Sequence, residues 1–379
     1  YAAFNRFLAG YKTQDYYRQK ATQELQSCST AKLLSQAPND SILVVQLSDK
    51  INTQYSDFSP QEKHGKFYFS SLRFKADPPK NKKDTQPKGR LVAKALVSPA
   101  YNSTSDAQLI EALNSETEHS ANISWSPDGK NVFFTRCTGL KTDSIQCEIW
   151  LADYNEADGS FANLRRLPQQ INQAGSNNTH PHLAYIEESR QMLLFFSSNR
   201  AGGQGKLDIW AAEWKEGDKW GTPFNLGRTI NSIEDEMTPF FHPTSQHLYF
   251  SSYWHHGLGG LDVFRAKRIG NTVWQTPENL GLPYNSAAND YYFIISKGDS
   301  TGFLASNRTG SMVLAGESCC NDIYQFGYKS ALTSLTSTTP SVVDTPVVVV
   351  KIDTPKVDTP RTDIDRKSTR LNSSHANIS

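Results

Sequence analysis

Five copies of one short signature, set in a chain of alternating aromatic runs, predict an all-β fold: a five-bladed β-propeller of four-stranded antiparallel blades. The same reading gives it a short N-terminal helical segment and a disordered C-terminal tail. The signature is a leucine followed four residues later by an apolar residue and then asparagine. Its copies are Leu47/Ile51/Asn52, Leu109/Leu113/Asn114, Leu167/Ile171/Asn172, Leu226/Ile230/Asn231 and Leu280/Tyr284/Asn285. The steps between asparagines are 62, 58, 59 and 54 residues, too long for a helical hairpin and right for four strands with their loops. Aromatic residues are 11% of the chain and sit in runs of period two, as pleated strands require. With 39 basic and 38 acidic residues, the charge balance recruits neither nucleic acid nor an anionic membrane.

Residues 1–38 read as helix, because Phe4, Phe7, Leu8, Tyr11, Tyr17, Ala21, Leu25 and Cys28 recur mostly three or four apart and no proline intervenes before Pro38. The pattern resembles the last helices of a tetratricopeptide array. Residues 39–330 read as the propeller. First strands end in an aromatic and a turn: Phe58-Ser59-Pro60, Trp125-Ser126-Pro127-Asp128-Gly129 and Phe241-His242-Pro243. Second strands are the most regular, as in Leu194-Phe195-Phe196-Ser197-Ser198 and Leu248-Tyr249-Phe250-Ser251-Ser252. Third strands open on an acid, Glu148, Asp208, Asp262 or Asp322; in the first blade Arg90-Leu91-Val92 takes that place. The last repeat lacks a fourth strand, and Ile42 to Leu47 is a spare one, so an N-terminal strand is expected to close the ring.

Residues 331–365 shift to Ser, Thr, Pro, Val and Asp, with Asp-Thr-Pro at 344, 353 and 358, and read as a disordered linker. Residues 366–379 (RKSTRLNSSHANIS) read as a foreign tail of the kind produced by translated adapter reads. The start at Tyr1, without methionine or signal peptide, reads as a truncation. No apolar run approaches the roughly 20 residues of a membrane helix.

Sequence also suggests where chemistry could lie. Cys137 and Cys147 flank a short loop between two antiparallel strands, where either a cross-strand disulfide or two free thiols fits. Gly298-Asp299-Ser300-Thr301-Gly302 matches a nucleophile elbow but joins two strands of a hairpin, where such residues are turn formers. His180 and His182 share a strand face, yet no third ligand recurs, so no metal and no cofactor are expected. The third-strand acids could ring a central ion; their position favours hydrogen bonding to loop amides instead. The loops after second strands share a face with the signature asparagines. There Arg200, Tyr253, Trp254 and Arg308 are residue types typical of binding hot spots, or else the arginines cap a neighbouring blade.

The stretches Ile51-Asn52-Thr53-Gln54-Tyr55-Ser56-Asp57-Phe58, Ser197-Ser198-Asn199-Arg200 with Gly202-Gly203, and Gly302 to Arg308 leading to Asn321-Asp322-Ile323-Tyr324 resemble TolB-type, WD-like propeller repeats. More narrowly, they resemble the propellers of OmpA-family outer-membrane lipoproteins of Bacteroidetes-type bacteria. That resemblance implies a periplasmic, outer-membrane-associated location and other envelope proteins as partners. Peptidoglycan would be bound only through a domain missing from this chain, and some relatives serve a secretion system. The expected function is a non-catalytic protein-binding scaffold. The alternative is a propeller-based hydrolase or carbohydrate- or peptide-processing enzyme, recognisable by convergent buried acids with perturbed pKa values.

Overall fold

Two helices precede the strands in the computed structural model, which describes residues 1–75, 91–139, 145–215, 217–270, 272–296, 298–313 and 320–336. Helix α1 (Ala2–Gly10) leads to α2 (Tyr16–Gln36), whose first turn is capped by Asp15 accepting from the Arg18 amide at 3.1 Å. Only Ala21 of α2 is buried, so this helix gains little from apolar packing.

Strand β1 (Ile42–Gln46) is followed by blade 1: β2 (Asp57–Lys63), β3 (Lys66–Lys75), β4 (Leu91–Ser98) and β5 (Gln108–Leu109). Blade 2 is β6 (His119–Trp125), β7 (Asn131–Gly139), β8 (Ile145–Asn155) and β9 (Ser160–Arg166). Blade 3 is β10 (Asn178–Ile186), β11 (Gln191–Ser198) and β12 (Asp208–Lys215), with two short outer segments, β13 (Lys219–Trp220) and β14 (Phe224–Asn225), both on β12. Blade 4 is β15 (Glu236–His242), β16 (His247–Ser252), β17 (Asp262–Lys267) and β18 (Glu278–Asn279). Blade 5 is β19 (Asp290–Ile295), β20 (Thr301–Ser306) and β21 (Asp322–Tyr328), completed by β1 in register from Ile42↔Tyr328 to Gln46↔Tyr324. The N-terminal strand thus closes the ring and pairs the edge of β21 that would otherwise be left open. Helix α3 (Lys329–Thr336) follows, with Leu332 buried, so the first residues of the expected linker are helical. The rest of that linker and the expected foreign tail lie outside the described residues, as does Arg90.

Two sequence assignments shift. Phe58-Ser59-Pro60 is a bulge within β2, not its terminal turn. Every inner strand has such a bulge, with one non-glycine residue in the left-handed region: Ser59, Asn122, His180, Thr238 and Tyr292, at φ between 51° and 58°. The acid position of blade 1 is held by Lys94, which pairs with Ser71 as Asp208 pairs with Ser198.

The core lies between blades. Phe195 of blade 3 stacks on Phe241 of blade 4 at 5.5 Å, beside buried Phe250, Phe264 and Trp274. Each fully buried phenylalanine contributes about 1.5–3 kcal/mol, so the blade faces supply most of the cohesion. The signature asparagines join the blades through the backbone. The Asn172 side chain accepts from the Ile149 amide at 2.8 Å and donates to the Ile149 and Leu167 carbonyls. Asn52, Asn114, Asn231 and Asn285 do the same with Ile323, Ala95, Ile209 and Val263. Each partner belongs to the third strand of the preceding blade, and for Asn52 that is blade 5, across the closure of the ring.

Candidate functional site

Beside each signature asparagine the chain builds a second device. A cationic side chain late in the second strand or just after it reaches the carbonyl of the apolar residue preceding that asparagine. Arg73 donates to Ile51 O at 2.7 Å, Arg136 to Leu113 O at 3.1 Å, Arg200 to Ile171 O, and Arg308 to Tyr284 O at 2.6 Å. In blade 4 the place is taken by His255, whose Nε2 lies 2.9 Å from Ile230 O.

In three of these junctions the arginine also holds the first residue of the inner strand. Arg73 pairs with Asp57 and Arg308 with Asp290, both at 2.6 Å, and Arg200 donates to the Asn178 carbonyl oxygen at 2.7 Å. Blade 2 has His119 there, accepting from the Ala93 amide. Blade 4 has Glu236. Its carboxyl accepts from the Ser232 amide at 2.6 Å and from the Ser232 and Ser252 hydroxyls at 2.5 and 2.7 Å, with no guanidinium. Glu236 is fully buried, and burial pushes its carboxyl up to about 8; the serine bonds oppose this and nearby Asp208 adds to it. His255 cannot supply the missing charge, because burial holds its pKa below the ordinary histidine value.

More acid gathers at the same junction. Asp235 accepts from the Leu207 amide at 3.0 Å, as Asn177 and Asn289 accept from the Cys147 and Leu261 amides in blades 3 and 5. A carboxylate therefore stands in blade 4 where blades 3 and 5 have neutral amides. Burial raises the pKa of Asp235, with Glu234 and Asp208 adding to the rise and Lys206 opposing it. Asp208 is likewise raised by burial, against bonds from the Gln204 and Gly205 amides and Asn225. Glu234 is paired to Lys206 at 2.7 Å and accepts from Tyr16 of α2. Helix α2 also reaches the adjoining loop, through Lys20 to the Tyr253 carbonyl and Gln23 to that of Trp254. The junction of blades 3 and 4 thus holds four acids, two of them, Asp208 and Glu236, fully buried and held by neutral donors alone, beneath a lightly anchored helix.

The sequence-predicted positions fall into place around this pattern. Arg200 is 6% exposed and Arg308 is mostly buried; both are spent on blade contacts, so they cap a neighbouring blade and present no hot spot. Tyr253 and Trp254 are partly buried, and Lys20 stands 5.5 Å over the Trp254 ring, so the protein's own helix occupies them. Asp208, Asp262 and Asp322 accept from loop amides at Gln204 and Gly205, Leu258 and Gly259, and Met312; Glu148 instead pairs with Arg166. Burial pushes Asp262 up to about 7 and Asp322 up to about 6. Cys137 and Cys147 form a disulfide across β7 and β8. The Gly298–Gly302 stretch is the β19–β20 turn, with Asp299 3.1 Å from His242. Among the described residues no group of three His, Cys, Asp or Glu side chains is placed to hold a metal.

Sequence reading missed Glu236 and His255. Their signal was present: Tyr253-Trp254-His255 stands where Asn199-Arg200 and Asn307-Arg308 stand in the blades on either side.

The inner strands also surround an axial cavity lined by Asn122, His180, His182, Thr238 and Tyr292 among others, with no carboxylate in its wall. Glycoside hydrolysis in most of its forms needs two carboxyl groups about the scissile bond, so this cavity does not furnish that chemistry.

No family model matches the chain, and no curated protein does. Solved structures similar to it include a thermostable family-43 glycoside hydrolase, 12% identical with a TM-score of 0.45, covering 79% of this chain and 98% of that one. The α-L-arabinofuranosidase PaAbf62A from Podospora anserina in complex with cellotriose is 10% identical, with a TM-score of 0.46 over 75% and 94% of the two chains. A further glycoside hydrolase is 10% identical, with a TM-score of 0.49 over 91% and 100%. These likenesses speak to the fold alone. They nevertheless correct the expectation of a non-catalytic, protein-binding scaffold. A fold does not decide function, and propeller repeats alone support neither a scaffold nor the absence of catalysis.

Proposed function

We propose that this chain is a propeller-based hydrolase acting on carbohydrate or peptide, with Glu236 as its proton donor. The observation that carries the reading is the broken symmetry of the blade 3–4 junction. Asp57 and Asp290 are paired with arginines, although burial still raises the Asp57 carboxyl against Arg73, whereas Glu236, at the same position, has only hydroxyl and amide donors. A buried carboxyl that stays protonated near neutral pH is what general-acid catalysis requires, and proton transfer of this kind is worth about 10²–10⁴-fold. Asp235 is only partly buried and lies next in the chain, so it is the carboxylate that a substrate or an activated water meets first. Glu236 itself is reached only when the Tyr253–His255 loop and α2 move aside, a gating step common to enzymes with covered sites.

The setting proposed for this activity is the cell envelope, in a TolB-type propeller of the OmpA-family kind, periplasmic and associated with the outer membrane. The Cys137–Cys147 disulfide supports an oxidising compartment, as do the sequence motifs that resemble that family. The full-length gene tests the location: an export signal is expected, and a cytosolic parent would oppose it.

The activity is tested by assaying release of reducing sugar and of new amino termini from polysaccharide and peptide panels. Glu236→Gln is expected to lower turnover by about 10²-fold or more. Equal turnover by the variant, or no turnover by the parent chain on any substrate of either panel, would overturn the reading.

A further inference from the structure

The axis of the ring carries a second built site, independent of the junction just described. Its cavity measures about 30 Å³, room for one or two water molecules. His180 faces it from the bulge of β10, 3% exposed, and neither ring nitrogen has a protein partner. A neutral imidazole offers one donor and one acceptor, and leaving both unmet in the interior is costly. The neighbouring polar groups are otherwise engaged. Tyr292 donates to Asn122 Oδ1 at 2.7 Å, Asn122 donates to Thr179 at 3.1 Å, and Thr238 donates to Ser251 at 3.4 Å. His182, the other histidine of the wall, lies 3.2 Å from the Phe241 carbonyl.

The charge of the wall selects the ligand. No carboxylate lines the cavity, which disfavours a cation, and no arginine or lysine does, which disfavours an anion. Burial alone holds His180 down to about 3 and His182 to about 4, so neither ring carries charge at neutral pH. What fits is a small neutral molecule that donates and accepts at once.

We propose that the axial cavity is a hydration site, in which one water accepts from one ring nitrogen of His180 and a second donates to the other, plugging the propeller axis. The Tyr292 oxygen keeps a lone pair for such a water, which would give it the two to four polar partners that buried waters have. The bound water then forms a polar plug at the axis of the ring.

A high-resolution crystal structure of the chain tests this, alongside one of His180→Phe. The expected result is ordered water within hydrogen-bonding distance of both His180 nitrogens, lost in the variant. A dry cavity in the parent chain, an anomalous scatterer marking a metal, or a larger bound molecule would each overturn the proposal. Should His180→Phe fail to fold, imidazole ¹⁵N shifts of the parent chain decide. One protonated and one hydrogen-bonded acceptor nitrogen are expected, and an unbonded acceptor nitrogen would overturn it.

Discussion

At the junction of blades 4 and 5, Asp290 accepts from the Ser286 amide and hydroxyl at 2.6 and 2.8 Å and is paired with Arg308 at 2.6 Å. At the junction of blades 3 and 4, Glu236 accepts from the Ser232 amide and hydroxyl in the same way, and Ser252 supplies the third bond. Both follow a signature asparagine, and both begin an inner strand. Among their differences is the residue after the second strand, Arg308 in one and His255 in the other, each reaching the equivalent carbonyl. The hydrogen-bond frame therefore survives loss of the cation, while burial raises the Glu236 carboxyl with no arginine to oppose it. A repeat protein can keep its architecture at all five corners and alter the electrostatics of one.

The largest effect is expected from making blade 5 resemble blade 4. Arg308→Ala leaves Asp290 buried without its cation, and breaking such a pair costs about 3–5 kcal/mol, read by denaturant unfolding. Next come the staples the two junctions share. Asn231→Ala and Asn285→Ala each orphan an amide and a carbonyl of the preceding blade, at roughly 1–3 kcal/mol per group. The two losses should match within about 1 kcal/mol if the junctions differ only in charge. The converse change, His255→Arg, gives Glu236 a cation and should raise stability at pH 8 by about 1–3 kcal/mol while abolishing hydrolysis.

The pH dependence of stability sharpens the contrast further. Glu236 titrates near 8 in the fold and near 4.5 when unfolded, so the folded state binds more protons between those values. Its contribution is complete below about pH 4.5 and is lost as pH rises through 8. Asp262 and Asp322, raised to about 7 and 6, act in the same sense. Unfolding free energy is expected to fall from pH 5 to pH 8.5, and Glu236→Gln should flatten that slope. A profile that rises over this range would contradict the assignment.

Most of the architecture was readable because it repeats. The signature asparagines could be counted from sequence, and a surplus strand at one end matched a missing strand at the other, so β1 could be placed on β21 before any coordinates. The bulges were not legible: Ser59, His180 and Thr238 precede prolines, which in a strand look like turns, and only the register reveals the extra residue. The role of the arginines was left open for a related reason. Asn199-Arg200 and Asn307-Arg308 lie in loops, where arginine usually meets solvent, but their guanidinium groups fold back onto carbonyls some 24 to 30 residues earlier in the chain. The site was hidden because it is an absence: nothing about Glu236 is unusual until Asp57 and Asp290 are seen with the partner it lacks. That comparison needs the third dimension, since carboxyl and cation are separated by 16 to 18 residues.

The ionisation of Glu236 is the most direct test, followed by infrared difference spectroscopy against Glu236→Gln while pH is stepped from 5 to 9. A protonated carboxyl band that persists through neutral pH and fades near 8, and that is absent at pH 7 in His255→Arg, is the predicted result. A Glu236 already ionised at pH 6, or unchanged by the arginine, would contradict the claim that blade 4 carries the un-neutralised acid.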